Sequence, residues 1–142
     1  MERDKVLKVM VAVDGSPASE NVLKHCSLTA HLSKWELTLI HVIEEVVSLK
    51  RIPDTPLYKE KKQEGYKILE RAQKTLMDHQ VPSKTILAAG PVASEIVRMT
   101  EENQVDYLFV GNRGYRGLKR MLLGSVSDDV SKRAHCAVTI IH

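Results

Sequence analysis

Val110-Gly111-Asn112-Arg113-Gly114, followed after nine residues by Gly124-Ser125-Val126-Ser127, is the stretch on which the fold of this chain turns. It leaves an apolar run, Tyr107 to Val110, that reads as a buried strand, and it enters a helix with Ser125 as the expected N-cap. Glycines let a backbone turn sharply and approach an anion closely, while the unpaired N–H groups and positive dipole end of a helix attract negative charge. Strand, glycine loop and capped helix in that order form the layout of a phosphate site.

Working outward, five short apolar segments alternate with four stretches of helical periodicity, the pattern of an α/β domain with a mainly parallel sheet. The strands are expected at Leu7–Val13, Glu36–Val42, Thr85–Ala89, the run into Gly111, and Ala137–Ile141. Asp14-Gly15-Ser16-Pro17 turns into the first helix, with Ser16 as N-cap and Pro17 at N1, and Val22, Leu23, Cys26 and Ala30 form its buried stripe. Tyr58–Met77 reads as a second helix buried through Ile68, Leu69, Ala72 and Leu76. Gly90-Pro91 opens a third helix, buried through Val92, Ile96 and Val97, and Ser125 to about His135 makes the fourth. The loop Ile43 to Pro56 fits neither period and reads as a flap over a ligand.

At 142 residues and 43% hydrophobic the chain suits one domain, residues 1–142, with a core that needs no staples. Its apolar runs are strand-sized and Met1-Glu2-Arg3-Asp4-Lys5 lacks the order of a signal peptide, so a cytoplasmic protein without membrane contact is expected. Cys26 and Cys136 are far apart, with no CxxC, and read as core thiols; the six histidines are scattered, so no metal-ligating residue is assigned. The net charge of +3 suits an anionic ligand. Arg113, Arg116, Lys119 and Arg120 crowd one segment, but no exposed aromatics accompany them, which argues against nucleic acid.

In doubly wound sheets, ligands sit beyond the carboxyl ends of the strands where the strand order reverses. If strands one and four are neighbours, Asp14 lies where it accepts from ribose hydroxyls, and the glycines with Ser125 lie where phosphates go. Read singly, Asp14-Gly15-Ser16-Pro17 is equally an ordinary turn, and Gly114, Gly117 and Gly124 are equally loop glycines. The plain reading leaves unexplained why glycines, cations and a serine-capped helix converge on one strand end. No GxxxxGK[ST], no GxGxxG after the first strand and no GxSxG is present. Ser16, Ser125 and Ser127 therefore read as caps and phosphate donors, and no catalytic residue is assigned.

These residues resemble the ATP-binding branch of the universal stress proteins, marked by G-x2-G-x9-G-[ST], which Gly111, Gly114, Gly124 and Ser125 fit without a gap. Val11-Ala12-Val13-Asp14-Gly15-Ser16, His41-Val42, Gly90-Pro91 and the run Arg116 to Ser127 carry the likeness from about Val6 to Ile141. The resemblance implies a Rossmann-like, single-domain open parallel five-stranded sheet in the order 3-2-1-4-5, with helices on both faces. It also implies a homodimer joined along Ala137–Ile141; a proline at Thr139 is then expected to give monomers. Ala12, Val13 and Val42 would lie against adenine, with Asp14 on ribose. Val110, Gly111, Arg113, Gly114, Gly124, Ser125, Val126 and Ser127 would wrap sugar and phosphates, the cofactors being ATP and phosphate-bound magnesium. Asn112-Arg113 stands where many members carry Ser or Thr followed by His or another residue. The function expected is that of an ATP-binding stress-response or regulatory protein in which bound nucleotide acts as a switch. The alternatives are a slow ATPase or another nucleotide-using enzyme, for which no positioned base is visible, and a nucleotide-free dimeric interaction module, which the intact glycines oppose.

Overall fold

Six successive residues with almost no polar character, Leu7–Ala12, form β1, and strand alternation sends their side chains to two different cores. Val9 and Val11 face one side, and Met10 the other, each with at most 1% of its surface exposed. The computed structural model describes residues 5–32, 34–44, 56–112 and 125–142. After β1 come α1 (Pro17–Thr29) with a 3-10 turn at Ala30–Leu32, β2 (Trp35–Glu44), α2 (Pro56–Met77) and β3 (Ser83–Gly90). The chain continues through α3 (Val92–Glu102), β4 (Tyr107–Gly111), α4 (Ser125–Arg133) and β5 (Ala137–Ile141).

The five strands are parallel in the order β3-β2-β1-β4-β5, with Val11 of β1 opposite Leu39 of β2 and Phe109 of β4. On one face α1 and α2 cover Val9, Val11, Leu37, Leu39 and Phe109 with Leu23, Leu69 and Leu76. On the other, α3 and α4 cover Met10, Ile40, Leu108 and Val110 with Ile96 and Val130. Each large side chain taken fully out of water contributes about 1.5–3 kcal/mol, so the sheet is held from both sides.

Local chemistry sets the helix ends. Ser16 caps α1, its hydroxyl accepting from the Ser19 N–H at 3.2 Å, with Pro17 at the first helical position. The second helix begins at Pro56, two residues before the expected Tyr58. Two non-glycine residues with positive φ, Gln80 at 63° and Gln104 at 51°, follow α2 and α3, where Val81 and Val105 N–H groups return to the carbonyls of Leu76 and Thr100. Cys26 is a core thiol, pushed up to about 12 by burial, whereas Cys136 is half-buried and raised mainly by desolvation.

The start of the sheet is stapled by Asp106. Its Oδ2 accepts from the Lys8 N–H at 2.9 Å, its own N–H donates to the Lys8 carbonyl at 2.8 Å, and its carbonyl accepts from the Ala137 N–H at 3.2 Å. Along β5, Ala137 N–H thus points to β4, and the Ile141 carbonyl accepts from Asn112 N–H at 2.9 Å. Alternation directs the backbone of Thr139 inward as well, leaving Val138 and Ile140 to present theirs to the open edge. Thr139 is therefore not an outward donor, and a proline there strikes the β4–β5 ladder instead of the edge.

Candidate functional site

The strand order reverses between β1 and β4, whose carboxyl ends lie side by side. At the tip of β1 the Val13 N–H donates to the Ile40 carbonyl at 2.9 Å. The Val13 carbonyl meets His41 Nδ1 at 2.8 Å, and because a carbonyl only accepts, Nδ1 carries the proton. Against this ring α2 presents Gly65, where an added Cβ would come 3.0 Å from His41 Cδ2 and 2.7 Å from Leu87 Cδ1. A mid-helix glycine costs about 1 kcal/mol relative to alanine, and here it lets α2 close on the imidazole. The sequence singled out His41 only as part of a familiar dipeptide; its hold on the Val13 carbonyl depends on two strands meeting.

Asp14 follows Val13 in a tight turn. Its Oδ1 accepts from the Ser16 N–H at 2.9 Å, its own N–H donates to Ser19 Oγ at 3.3 Å, and Gly15 supplies a φ of 81°. The turn orients the carboxylate while capping α1.

At the tip of β4 the site glycine has a packing cause. A Cβ on Gly111 would sit 3.1 Å from the Ala18 Cβ and 3.2 Å from the Ala18 carbonyl carbon, so its bare Cα admits α1 rather than an anion on that side. Asn112 follows, 9% exposed, and its carbonyl accepts a long 3.5 Å hydrogen bond from Ser127 Oγ. Ser125 is the first residue of α4 and is exposed, Val126 is half-buried, and Ser127 is 3% exposed. Ser125 therefore stands inside the helix and not at the N-cap position expected of it. Arg113, Gly114, Gly124 and residues 45–55 of the expected flap lie outside the described residues. Ile43 and Glu44, assigned to that flap, belong to β2, and Pro56 belongs to α2.

Alternation sorts the apolar candidates. Ala12, Val42, Val110 and Val126 pack in the α3/α4 core, on one face of the sheet. Val13 packs in the α1/α2 core on the opposite face, so its side chain does not join theirs; what it offers at the tip is backbone. Asp128 and Asp129, in the first turns of α4, pair with Lys132 at 3.0 Å and Arg133 at 3.2 Å, and Arg133 also donates to Ser94 Oγ at 3.2 Å. The arrangement brings the ends of β1 and β4, the Asp14 turn and the start of α4 to the carboxyl end of the sheet, where the strand order reverses.

A family model described as the universal stress protein family matches residues 5–142. The chain is 39% identical over 144 residues to universal stress protein YxiE of Bacillus subtilis, a match covering 94% of this chain and 97% of that one. Its fold superimposes on the solved structure of MJ0577, from Methanocaldococcus jannaschii, with a TM-score of 0.79 and 30% identity over 95% of this chain and 94% of the other. A universal stress protein solved in complex with cAMP is similar at a TM-score of 0.70 and 25% identity, covering 96% of each chain.

Proposed function

Because the chain belongs to the universal stress protein family, we propose that it binds an adenine nucleotide, ATP carrying magnesium, and that the bound nucleotide acts as a regulatory switch. The carrying observation is the reversal of strand order between β1 and β4, which gathers Asp14, the start of α4 and an apolar face at one crevice. A cAMP complex in a similar fold supports the same ligand class.

In this reading Ala12, Val42 and Val110 form the floor for adenine, and Val13 contributes backbone. Asp14 takes the ribose. Ser125, Val126 and Ser127, at the start of α4, take the phosphates, since the positive dipole end of a helix attracts anions. The motif adds Gly111, Arg113, Gly114 and Gly124. Magnesium on the phosphate oxygens supplies charge neutralisation. No group of three His, Cys, Asp or Glu side chains suited to a cation occurs among the described residues. Residues 1–142 act as one nucleotide-binding domain in the cytoplasm; no helix among the described residues is long and apolar enough to cross a membrane. Two copies join along β5.

Mass spectrometry of the small molecule released on denaturing freshly purified protein, paired with calorimetric titration of ATP, tests the reading. Adenine nucleotide recovered, and saturable binding, are expected. Absence of both would leave the chain a nucleotide-free interaction module.

A further inference from the structure

We propose that Asn112 reads the sugar of the bound nucleotide, its side-chain oxygen accepting a hydrogen bond from a ribose hydroxyl; this rests on the nucleotide reading above. Asn112 is 9% exposed, and its Oδ1 is buried with no hydrogen-bond partner among the described residues. A buried acceptor without a donor is rare and costly, and each one asks for a cause. Trp35 Nε1 and Ser83 Oγ are also without partners among the described residues, but they belong to the first residues of β2 and β3, at the amino ends of the strands and so at the other end of the sheet. Asn112 stands at the crevice.

The backbone fixes where the carboxamide goes. Asn112 N–H donates to the Ile141 carbonyl at 2.9 Å and so continues the ladder of β4. Gly111 faces Ala18 of α1, so the next side chain falls on the other face, that of Val110 and α4. There Ser127 Oγ reaches the Asn112 carbonyl.

Ligand chemistry then leaves one kind of donor. Ionised phosphate oxygens only accept, and offer nothing to an acceptor. The adenine amino group belongs with Ala12 and Val42 on β1 and β2, whereas Asn112 follows β4, beside β5. Between them lies the sugar, at the level of Asp14 in the turn that follows the neighbouring strand β1. A nucleotide lacking the matching hydroxyl leaves the oxygen orphaned, and a buried polar group left unpaired is what makes a site reject an analogue.

The test is calorimetric titration of ATP, 2′-deoxyATP and 3′-deoxyATP, each with and without magnesium, on the wild type, Asn112→Leu and Asn112→Asp, with denaturation of each protein free of nucleotide. The wild type is expected to bind ATP roughly tenfold more tightly than one of the deoxy analogues. Asn112→Leu erases that ratio, while the nucleotide-free variant is no less stable than wild type because it has lost an orphaned atom and not a bond. A purely structural asparagine would show the reverse. Asn112→Asp keeps an acceptor and retains the ratio, which also serves if the leucine variant fails to fold. An unchanged ratio in Asn112→Leu, or a lost one in Asn112→Asp, overturns the assignment. So does a defect in the leucine variant that appears only with magnesium, since the donor is then cation-bound water. A wild type that binds no adenine nucleotide overturns instead the reading on which the proposal rests.

Discussion

At the scale of single residues, Gly111 is the position where packing and binding are separable. A valine there must displace the Ala18 backbone, which has little room to give, so we expect Gly111→Val to destabilise by about 1–3 kcal/mol in urea denaturation without nucleotide. Unchanged stability would mean that the glycine serves the ligand alone. Asp106 gives a prediction with a sign. The Lys8 N–H, followed by the Lys5 charge, holds its carboxyl below the ordinary value of 3.8 despite some desolvation. The folded protein thus binds this proton less readily than the unfolded chain. Its contribution is full above that ordinary value and is lost as pH falls through the lowered one. Asp106→Asn should reduce stability at neutral pH, with its denaturation midpoint converging on wild type in acid; a constant gap would sink the idea. Gly111 and Asp14 were legible in the sequence as residues that matter, although the packing of Gly111 on Ala18 was not. His41, Asn112 and Asp106 acquire their partners from other strands, and no local pattern announces such a partner.

At the scale of elements, β5 offers the sharpest contrast between neighbouring positions. Val138 turns its N–H to the open edge and Thr139 turns its own to β4, so Val138→Pro is expected to give monomers with the β4–β5 ladder retained. Thr139→Pro should instead lower the stability of the fold itself. Light scattering beside denaturation distinguishes them; a wild type monomeric at micromolar concentration rejects the β5 interface. In the turn that follows α2, Gln80 stands in the left-handed region, where an L side chain costs about 1–2 kcal/mol. Gln80→Gly should recover part of this, raising stability by about 0.5–1 kcal/mol in thermal melts; a lower melting temperature would show the side chain to be needed. Every strand was visible as an apolar run, but strand lengths were not. β2 begins at Trp35 and reaches Glu44, because Trp35 packs on Phe109 and the far end pairs with β3 through Gly90. Pairing across the sheet decides those ends.

At the scale of the whole molecule, strand order could not be read from periodicity; it came from the resemblance, and the sheet has that order. The division of labour between the sheet's faces was equally hidden until alternation could be followed from β1 through β4. Fast phosphoryl transfer needs an oriented nucleophile and a firmly held metal. Asp128 and Asp129 are engaged by Lys132 and Arg133, so ATP turnover is expected below about 1 per second. Phosphate release at saturating ATP checks this, and a faster rate lost on Asp128→Asn would make the protein a true ATPase. Trp35 and Phe109, each the only residue of its kind in the chain, sit with ring centroids 5.6 Å apart in the α1/α2 core. Roughly 20 Å of strand separates Trp35 from Val42, on the other face of the sheet from the crevice. Intrinsic tryptophan emission will therefore follow unfolding faithfully yet stay dark to an occupant of the crevice. A flat fluorescence titration should not be taken for an empty site, and an optical binding assay needs its chromophore on the nucleotide.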